Sequence, residues 1–233
     1  MAKLKSAIPA LSHVPSLKCE VCQLGKYHRS SFSSSSHSRQ PESFDVVHTD
    51  IWGPPRISTL NGFLYFVIFL DDYSRMTWLF LIKERSKLSR IFSTFYNKIF
   101  VQFNKRIKIL RSDNALEYTQ PVMDSFCVDR GIIHQTSCPH TSQQNGVAER
   151  KHLHLLDVAR TLLFHMHVPK HFWGDAVLTA CRLINRMPSV FLNNKSSFCL
   201  LYPERAPFSL TPHVFGYVAF VHVLDPSHDK LLP

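Results

Sequence analysis

No apolar run in this sequence is long enough to cross a membrane. The longest, Phe63 to Leu70, has eight residues, where a spanning helix needs about 20. Glycine is scarce as well. Seven glycines and 14 prolines in 233 residues exclude a collagen-like or glycine-rich repeat, and no internal repeat is visible. The opening stretch, MAKLKSAIPALSHVPS, lacks the apolar segment of a secretory signal. The expected compartment is therefore intracellular, with the six cysteines as thiols or metal ligands and not disulfides. Negative charge is in short supply: 17 Asp and Glu stand against 27 Lys and Arg, a net +10 with His neutral. So basic a chain points to a polyanionic partner, nucleic acid first, with a merely basic soluble enzyme as the alternative. What the sequence does have is 45% hydrophobic residues, enough for a substantial core in one or two domains.

The chain changes texture along its length. Residues 1–29 are mixed and carry a Cys-x-x-Cys; residues 30–38 (SSFSSSSHS) are serine-rich without hydrophobic period, as in a flexible linker. From Phe44 onward, apolar runs alternate with turns. FDVVHTD (44–50) is expected as a strand stopped by Trp-Gly-Pro-Pro, and FLYFVIFLD (63–71) as a strand buried on both faces. The turn Asp71-Asp72-Tyr73-Ser74 leads into MTWLFLI (76–82), which completes an antiparallel hairpin. Leu88, Ile91, Phe92, Phe95, Ile99 and Phe103 recur at helical spacing. RIKILRSD (106–113) and IIHQTS (132–137) are further strands. Between them PVMDSFCVDRG (121–131) reads as a helix closed by Gly131. A long helix is expected from about Gln143 to His165, with Thr141 or Ser142 as its N-cap, and another over roughly 170–186. FGYVAFVHV (215–223) is one more strand-like run. A meander followed by crossover units implies an α/β fold, a mixed sheet with helices on both faces.

Three acids stand at telling places. Asp50 lies at or near the end of the first strand, Asp113 at the end of the fourth, and Glu149 on the long helix. An acid on an interior strand position needs a partner or a metal. If the two strands are neighbours, Asp50 and Asp113 lie side by side and repel, and a hard divalent cation relieves that repulsion. A third carboxylate from an overlying helix completes a site for two metals acting on phosphoryl oxygens. No Ser/His/Asp or Cys/His set at recognisable spacing competes with them.

The flanking residues sharpen this reading. HTDIWGP, LRSDNALEY and QQNGVAERKHLHLLDVAR, in that order and with 35 residues between Asp113 and Glu149, resemble the D,D-35-E integrase core of copia-type LTR retrotransposons. The likeness runs on through LDDYSRMTWLFLIK, SCPHTSQQNGVAER, HFWGDAVLTACRLINRMPS and VFG, over roughly residues 19 to 225. It implies an RNase H-like fold with a five-stranded mixed sheet flanked by helices, as the catalytic core over 41–204. A truncated HHCC-type zinc remnant over 1–29 and a linker over 30–40 precede it, and a truncated extension over 205–233 follows. The implied enzyme is a polynucleotidyl transferase with Asp50, Asp113 and Glu149 as catalytic metal ligands. It would use Mg²⁺ or Mn²⁺, two per site, to trim element ends and join them to target DNA. The implied partners are element and target DNA and further copies of the chain. An active integrase is expected in the nucleus, with the cytoplasm as the other compartment. The competing reading is a retroelement relic that binds nucleic acid without turnover.

Other residues follow from the same resemblance. Cys19 and Cys22 resemble the cysteine half of the zinc domain. Tetrahedral Zn²⁺ needs four ligands, and only His13 lies upstream, six residues from Cys19. The alternatives are an incomplete zinc site and a pair of reduced thiols. Lys105, Arg106, Lys108 and Arg111, and Arg150, Lys151, His152 and His154 beside Glu149, are expected either to hold phosphates near the metals or to form solvated charged faces. Asn145 either contacts DNA or a metal-bound water, or bonds backbone at the helix start. Trp52, Tyr73 and Trp78 are candidates for stacking on DNA, with core packing favoured for Trp78. Cys127, Cys138 and Cys181 fit buried small hydrophobes. Two positions depart from the family: Ala115 and Leu116 replace the two glycines usual after Ser-Asp-Asn, and Leu153 stands where relatives often carry a basic residue.

Overall fold

A computed structural model of the chain describes residues 39–138, 145–208 and 213–218. The chain divides into two units, Met1–Ser38 and Arg39–Pro233, and all described residues belong to the second. Cys19, Cys22 and the zinc remnant expected there lie outside them. The larger sheet follows the order β3-β2-β1-β4-β5, with β1 Val46–Trp52, β2 Tyr65–Asp71, β3 Thr77–Ile82, β4 Ile109–Ser112 and β5 Ile133–Thr136. The first three strands pair antiparallel as a meander. β4 joins the free side of β1 in parallel, and β5 joins β4 the same way. Parallel neighbours need a crossover, which helices α1 (Leu88–Phe103) and α2 (Pro121–Arg130) provide. This is the mixed sheet that the element order implied, and the RNase H-like arrangement that the resemblance implied.

Both faces of the sheet are covered, which explains why β2 reads as an unbroken apolar run. On one face Val47, Ile51, Val67, Phe69 and Leu110 meet Leu88, Phe92, Phe95 and Ile99 of α1 and Met123 of α2. Phe69 and Phe95 stack with ring centroids 4.5 Å apart. On the other face Phe66 and Ile68 meet helices α3 (Gly146–His165) and α4 (Trp173–Arg186). Those helices turn Ala148, Ala159, Ala176 and Ala180 inward, and side chains this small let a helix lie close to the sheet. Alternation along β1 then directs Val47, Thr49 and Ile51 toward α1 and α2, and His48, Asp50 and Trp52 toward α3 and α4.

The termini of the helices follow local chemistry. α2 closes at Gly131, whose φ is +66° and whose N–H bonds back to Val128 O. A Cβ at Gly131 would meet nothing within 4 Å, so the left-handed backbone alone sets the cost of a side chain. Gly131→Ala should therefore lose about 1 kcal/mol, visible as a fall of about 2–4 °C in melting temperature. An unchanged melting point would show that the cap is not held in this conformation. α3 begins at Gly146, directly after Asn145; the caps expected at Thr141 and Ser142 lie outside the described residues.

Two expectations need correction. Val214–Tyr217 is a turn closed by Tyr217 N–H on Val214 O at 3.1 Å, not the start of a strand over 215–223. Gly216 takes a φ of +82° there, close to Val168 and Met166, and residues 219–223 lie outside the described residues. Cys127 and Cys181 are buried, and burial pushes their thiols up to about 11 and about 12 respectively. Cys138, however, is exposed.

The β2–β3 turn does more than reverse the chain. Asp71 is fully buried and accepts from Phe44 N–H at 2.7 Å, Ser74 N–H at 2.9 Å and the Ser74 hydroxyl at 2.6 Å. Next to it Asp72 meets His48 at 3.1 Å and Arg75 at 3.2 Å, and accepts from Gln40 N–H at 3.0 Å. Burial alone would raise the Asp72 carboxyl, but the His48 and Gln40 hydrogen bonds and the Arg75 charge pull it down to about 2. The turn thus binds the stretch from Gln40 to Phe44 onto the sheet.

Candidate active site

The pairing of β1 with β4 places two of the three acids. Val46 lies opposite Ile109, Val47 opposite Leu110 and His48 opposite Arg111, a constant offset of 63 residues. Carried two residues further, that offset sets Asp113, the first residue past β4, beside Asp50. Asp50 lies on the side of the sheet covered by α3, its side chain 15% exposed. One carboxylate oxygen accepts from Ile51 N–H at 2.9 Å, and the other lies 3.1 Å from His152 Nδ1. Glu149 stands in the first turn of α3. His152 follows three residues later, on the same side of that helix.

The three carboxyls sense one another. Burial raises the Asp113 carboxyl, and the negative charge of Asp50 adds to the rise, while the Ala115 N–H opposes it. Burial also raises Glu149, with Asp50 and Asp113 adding to it and Arg150 opposing it. Such crowding penalises the ionised forms, and a cation among them would remove the penalty. An all-carboxylate donor set suits hard ions such as Mg²⁺ and Mn²⁺, so the donors fit in charge and type. Among the described residues, though, no three His, Cys, Asp or Glu side chains are drawn together tightly enough to hold an ion.

The loop after Asp113 is tied down at several points. The Ala115 N–H donates to Asp113 at 3.2 Å, the Asn114 side chain donates to Ser137 O, and Glu117 pairs with Arg85 at 2.9 Å. The alanine in place of a family glycine is thus part of the loop's hydrogen bonding, while Leu116 is 79% exposed. Tyr118 ends the loop inside the core, fully buried, its hydroxyl 2.9 Å from Thr49 Oγ1. Burial holds that phenol well above its ordinary range, so it stays protonated.

The basic residues divide by position. Lys105, Arg106 and Lys108 precede β4, whereas Asp113 follows it. At about 3.3 Å per residue of extended chain, Lys108 lies up to roughly 16 Å from Asp113 and Lys105 up to roughly 26 Å, toward the opposite end of the sheet. There Lys105 pairs with Glu42 at 3.4 Å and Lys108 with Asp45 at 2.7 Å. Arg111 is closer to the acids but is engaged by Gln135 at 2.8 and 3.1 Å. The structure thus places Lys105, Arg106 and Lys108 away from the acids, where the ion pairs of the two lysines suit the charged-face alternative. Sequence neighbours of Asp113 are not its neighbours in space. Beside Glu149, Arg150 is exposed, but Lys151 is half-buried and burial lowers its ammonium. Asn145 is fully buried and donates its amide to Thr49 O on β1 at 3.1 Å. Leu153 is exposed, Trp78 lies in the core, and Trp52 stacks on Phe66 at 5.2 Å. Sequence reasoning missed Thr49 and Tyr118, and it read His152 as part of the basic run after Glu149, not as a partner of Asp50.

A mixed sheet of this order, with one acid on β1, one just past the adjacent parallel β4 and a third on the helix packed over them, has the RNase H-like architecture. Comparison with known proteins carries this to a family. Residues 40–142 match the integrase core domain. The chain is 38% identical over 213 residues to a retrovirus-related Pol polyprotein from transposon TNT 1-94 of Nicotiana tabacum, covering 91% of this chain and 16% of that protein. It is 37% identical over 216 residues to the corresponding polyproteins from transposons RE2 and RE1 of Arabidopsis thaliana, covering 92% of this chain and 14% of each. This chain belongs to the integrase core family of copia-type retrotransposon Pol polyproteins. It spans between 14% and 16% of the length of these curated relatives. No helix among the described residues is long and apolar enough to cross a membrane.

Proposed function

We propose that this chain carries the catalytic core of a retrotransposon integrase. Asp50, Asp113 and Glu149 hold two Mg²⁺ or Mn²⁺ ions, and the reaction joins a DNA 3′-hydroxyl to a target phosphodiester. The observation that carries this is the register of β1 against β4, which, carried two residues beyond its last pair, brings Asp113 to Asp50, with the Glu149 carboxyl raised by burial and then by the charges of both. Bound there, the ions would supply Lewis-acid activation of the attacking oxygen and offset charge on the leaving one. The chain's own contribution is to hold three carboxylates on rigid elements, with His152 against Asp50 and the exposed Arg150 available to a phosphate. Element and target DNA, and further copies of the chain, are the proposed partners.

The test is strand transfer into plasmid DNA by the purified chain in Mg²⁺ and in Mn²⁺. Product that depends on the metal supports the reading. A cooperatively melting protein that binds DNA but yields none with either ion would leave only a nucleic-acid-binding relic. DNA binding itself should be electrostatic and sequence-tolerant, given the +10 charge. Each phosphate contact contributes about 0.9 to the slope of log K against log salt, so filter binding from low to moderate salt should show a steep decline. Arg150→Glu should weaken binding on all duplex sequences alike and reduce the slope by about 1. Affinity that ignores salt would overturn this.

A further inference from the structure

Three acid-bearing segments meet at one threonine. Thr49, the residue before Asp50, is fully buried on β1. Its hydroxyl lies 2.9 Å from the hydroxyl of Tyr118, which closes the loop that begins at Asp113. Its carbonyl accepts from the side-chain amide of Asn145 at 3.1 Å, and Asn145 is the residue before the helix that carries Glu149. Thr49 side chain and carbonyl therefore reach two different segments, one on each side of the strand. Tyr118 and Asn145 are as buried as Thr49 itself. Hydrogen bonds sealed from water in this way are electrostatically stronger than exposed ones and leave a costly gap when one partner is removed.

We propose that Thr49, Tyr118 and Asn145 are positioning residues, a buried hydrogen-bonded junction that sets the Asp113 loop and the start of α3 against β1. The inference rests on the metal-site reading above. All three are fully buried, and the role assigned to them needs no contact with an ion or DNA. Each acts through the acid that follows or precedes it in the chain: Thr49 on Asp50, Tyr118 on Asp113, Asn145 on Glu149. Such sites need their ligands held to within about half an ångström, and the Asp113 loop has few other ties to β1. A phenylalanine at 118 would keep the packing of the ring and lose only the bond. A valine at 49 would keep the β-branched shape of the strand and lose the same bond from the other side.

The test uses the full chain and Mn²⁺ as the probe, followed by electron paramagnetic resonance of the free ion. Parent, Tyr118→Phe, Thr49→Val and the double variant are compared. Asp113→Asn reports loss of a ligand, and Ile99→Val, in the core of α1, reports a general loss of stability. Each single variant should bind Mn²⁺ about tenfold more weakly, and the double variant no more weakly than either, because both remove one shared bond. Ile99→Val should bind as the parent does even where its melting temperature falls as far. If Tyr118→Phe and Thr49→Val bind like the parent while Asp113→Asn does not, the junction has no positioning role and the metal site stands. Additive losses in the double variant would likewise overturn the shared bond. If the parent itself shows no Asp113-dependent Mn²⁺ binding, the metal reading fails and this inference fails with it.

Discussion

Replacing Asp113 with Asn should abolish metal-dependent strand transfer and leave a folded protein that still binds DNA. The substitution keeps the shape and removes one hard ligand and one negative charge. Loss of transition-state charge stabilisation at such a site is worth about 4 kcal/mol or more, over a thousandfold in rate. Stability should move the other way. Folding raises the Asp113 carboxyl above its ordinary 3.8, chiefly by burial and then by Asp50. Ionising it therefore opposes folding at every pH above the raised value, and that opposition fades as pH falls below the ordinary one. The variant should melt at or above the parent at neutral pH, with the difference closing near pH 3. Melting curves at both pH values, with filter binding and strand transfer on the same preparations, decide it. A variant as active as an active parent would remove Asp113 from the site.

The second large effect concerns the β2–β3 turn. Asp71→Ala should destabilise the protein by about 3 kcal/mol, since it strands buried donors from Phe44 and Ser74 that accept no substitute. For a unit of this size that is a fall of about 6–12 °C in melting temperature. Asp71→Asn should recover part of the loss, because its carbonyl oxygen can still accept. A melting temperature within about 2 °C of the parent for Asp71→Ala would show the network to be dispensable. The sequence marks Asp71 as a turn residue, which it is. Nothing in a string of letters reveals that the same carboxylate also reaches 27 residues back to Phe44.

That contrast runs through the molecule. Strands and helices were legible because burial imposes a period: Leu88, Phe92, Phe95 and Ile99 line α1 at the expected spacing, and β2 lacks alternation because both its faces are covered. The sheet partners of Asp50 and Asp113 were legible through the flanking motifs. The ties that hold those acids were not. Tyr118 and Thr49 are ordinary strand and core residues, and their bond spans 69 positions. Lys105 to Lys108 misled for the opposite reason, being close to Asp113 along the chain and far from it along an extended strand. Asn145 bonds a β1 carbonyl 96 positions away, a partner that its place at the start of a helix does not announce.

The fixed offset between β1 and β4 has a genetic consequence. Between Ile109 and Asp113 a single inserted codon would turn every following side chain to the other face of the sheet, carrying the carboxylate of Asp113 away from Asp50. The same codon placed in the exposed stretch around Leu60 and Asn61 would lengthen the connection from β1 to β2 and disturb neither strand. Random in-frame insertion across the gene should therefore find a short forbidden window at β4 beside a permissive one at the β1–β2 loop, although both lie in the same domain and neither window contains more than a few codons.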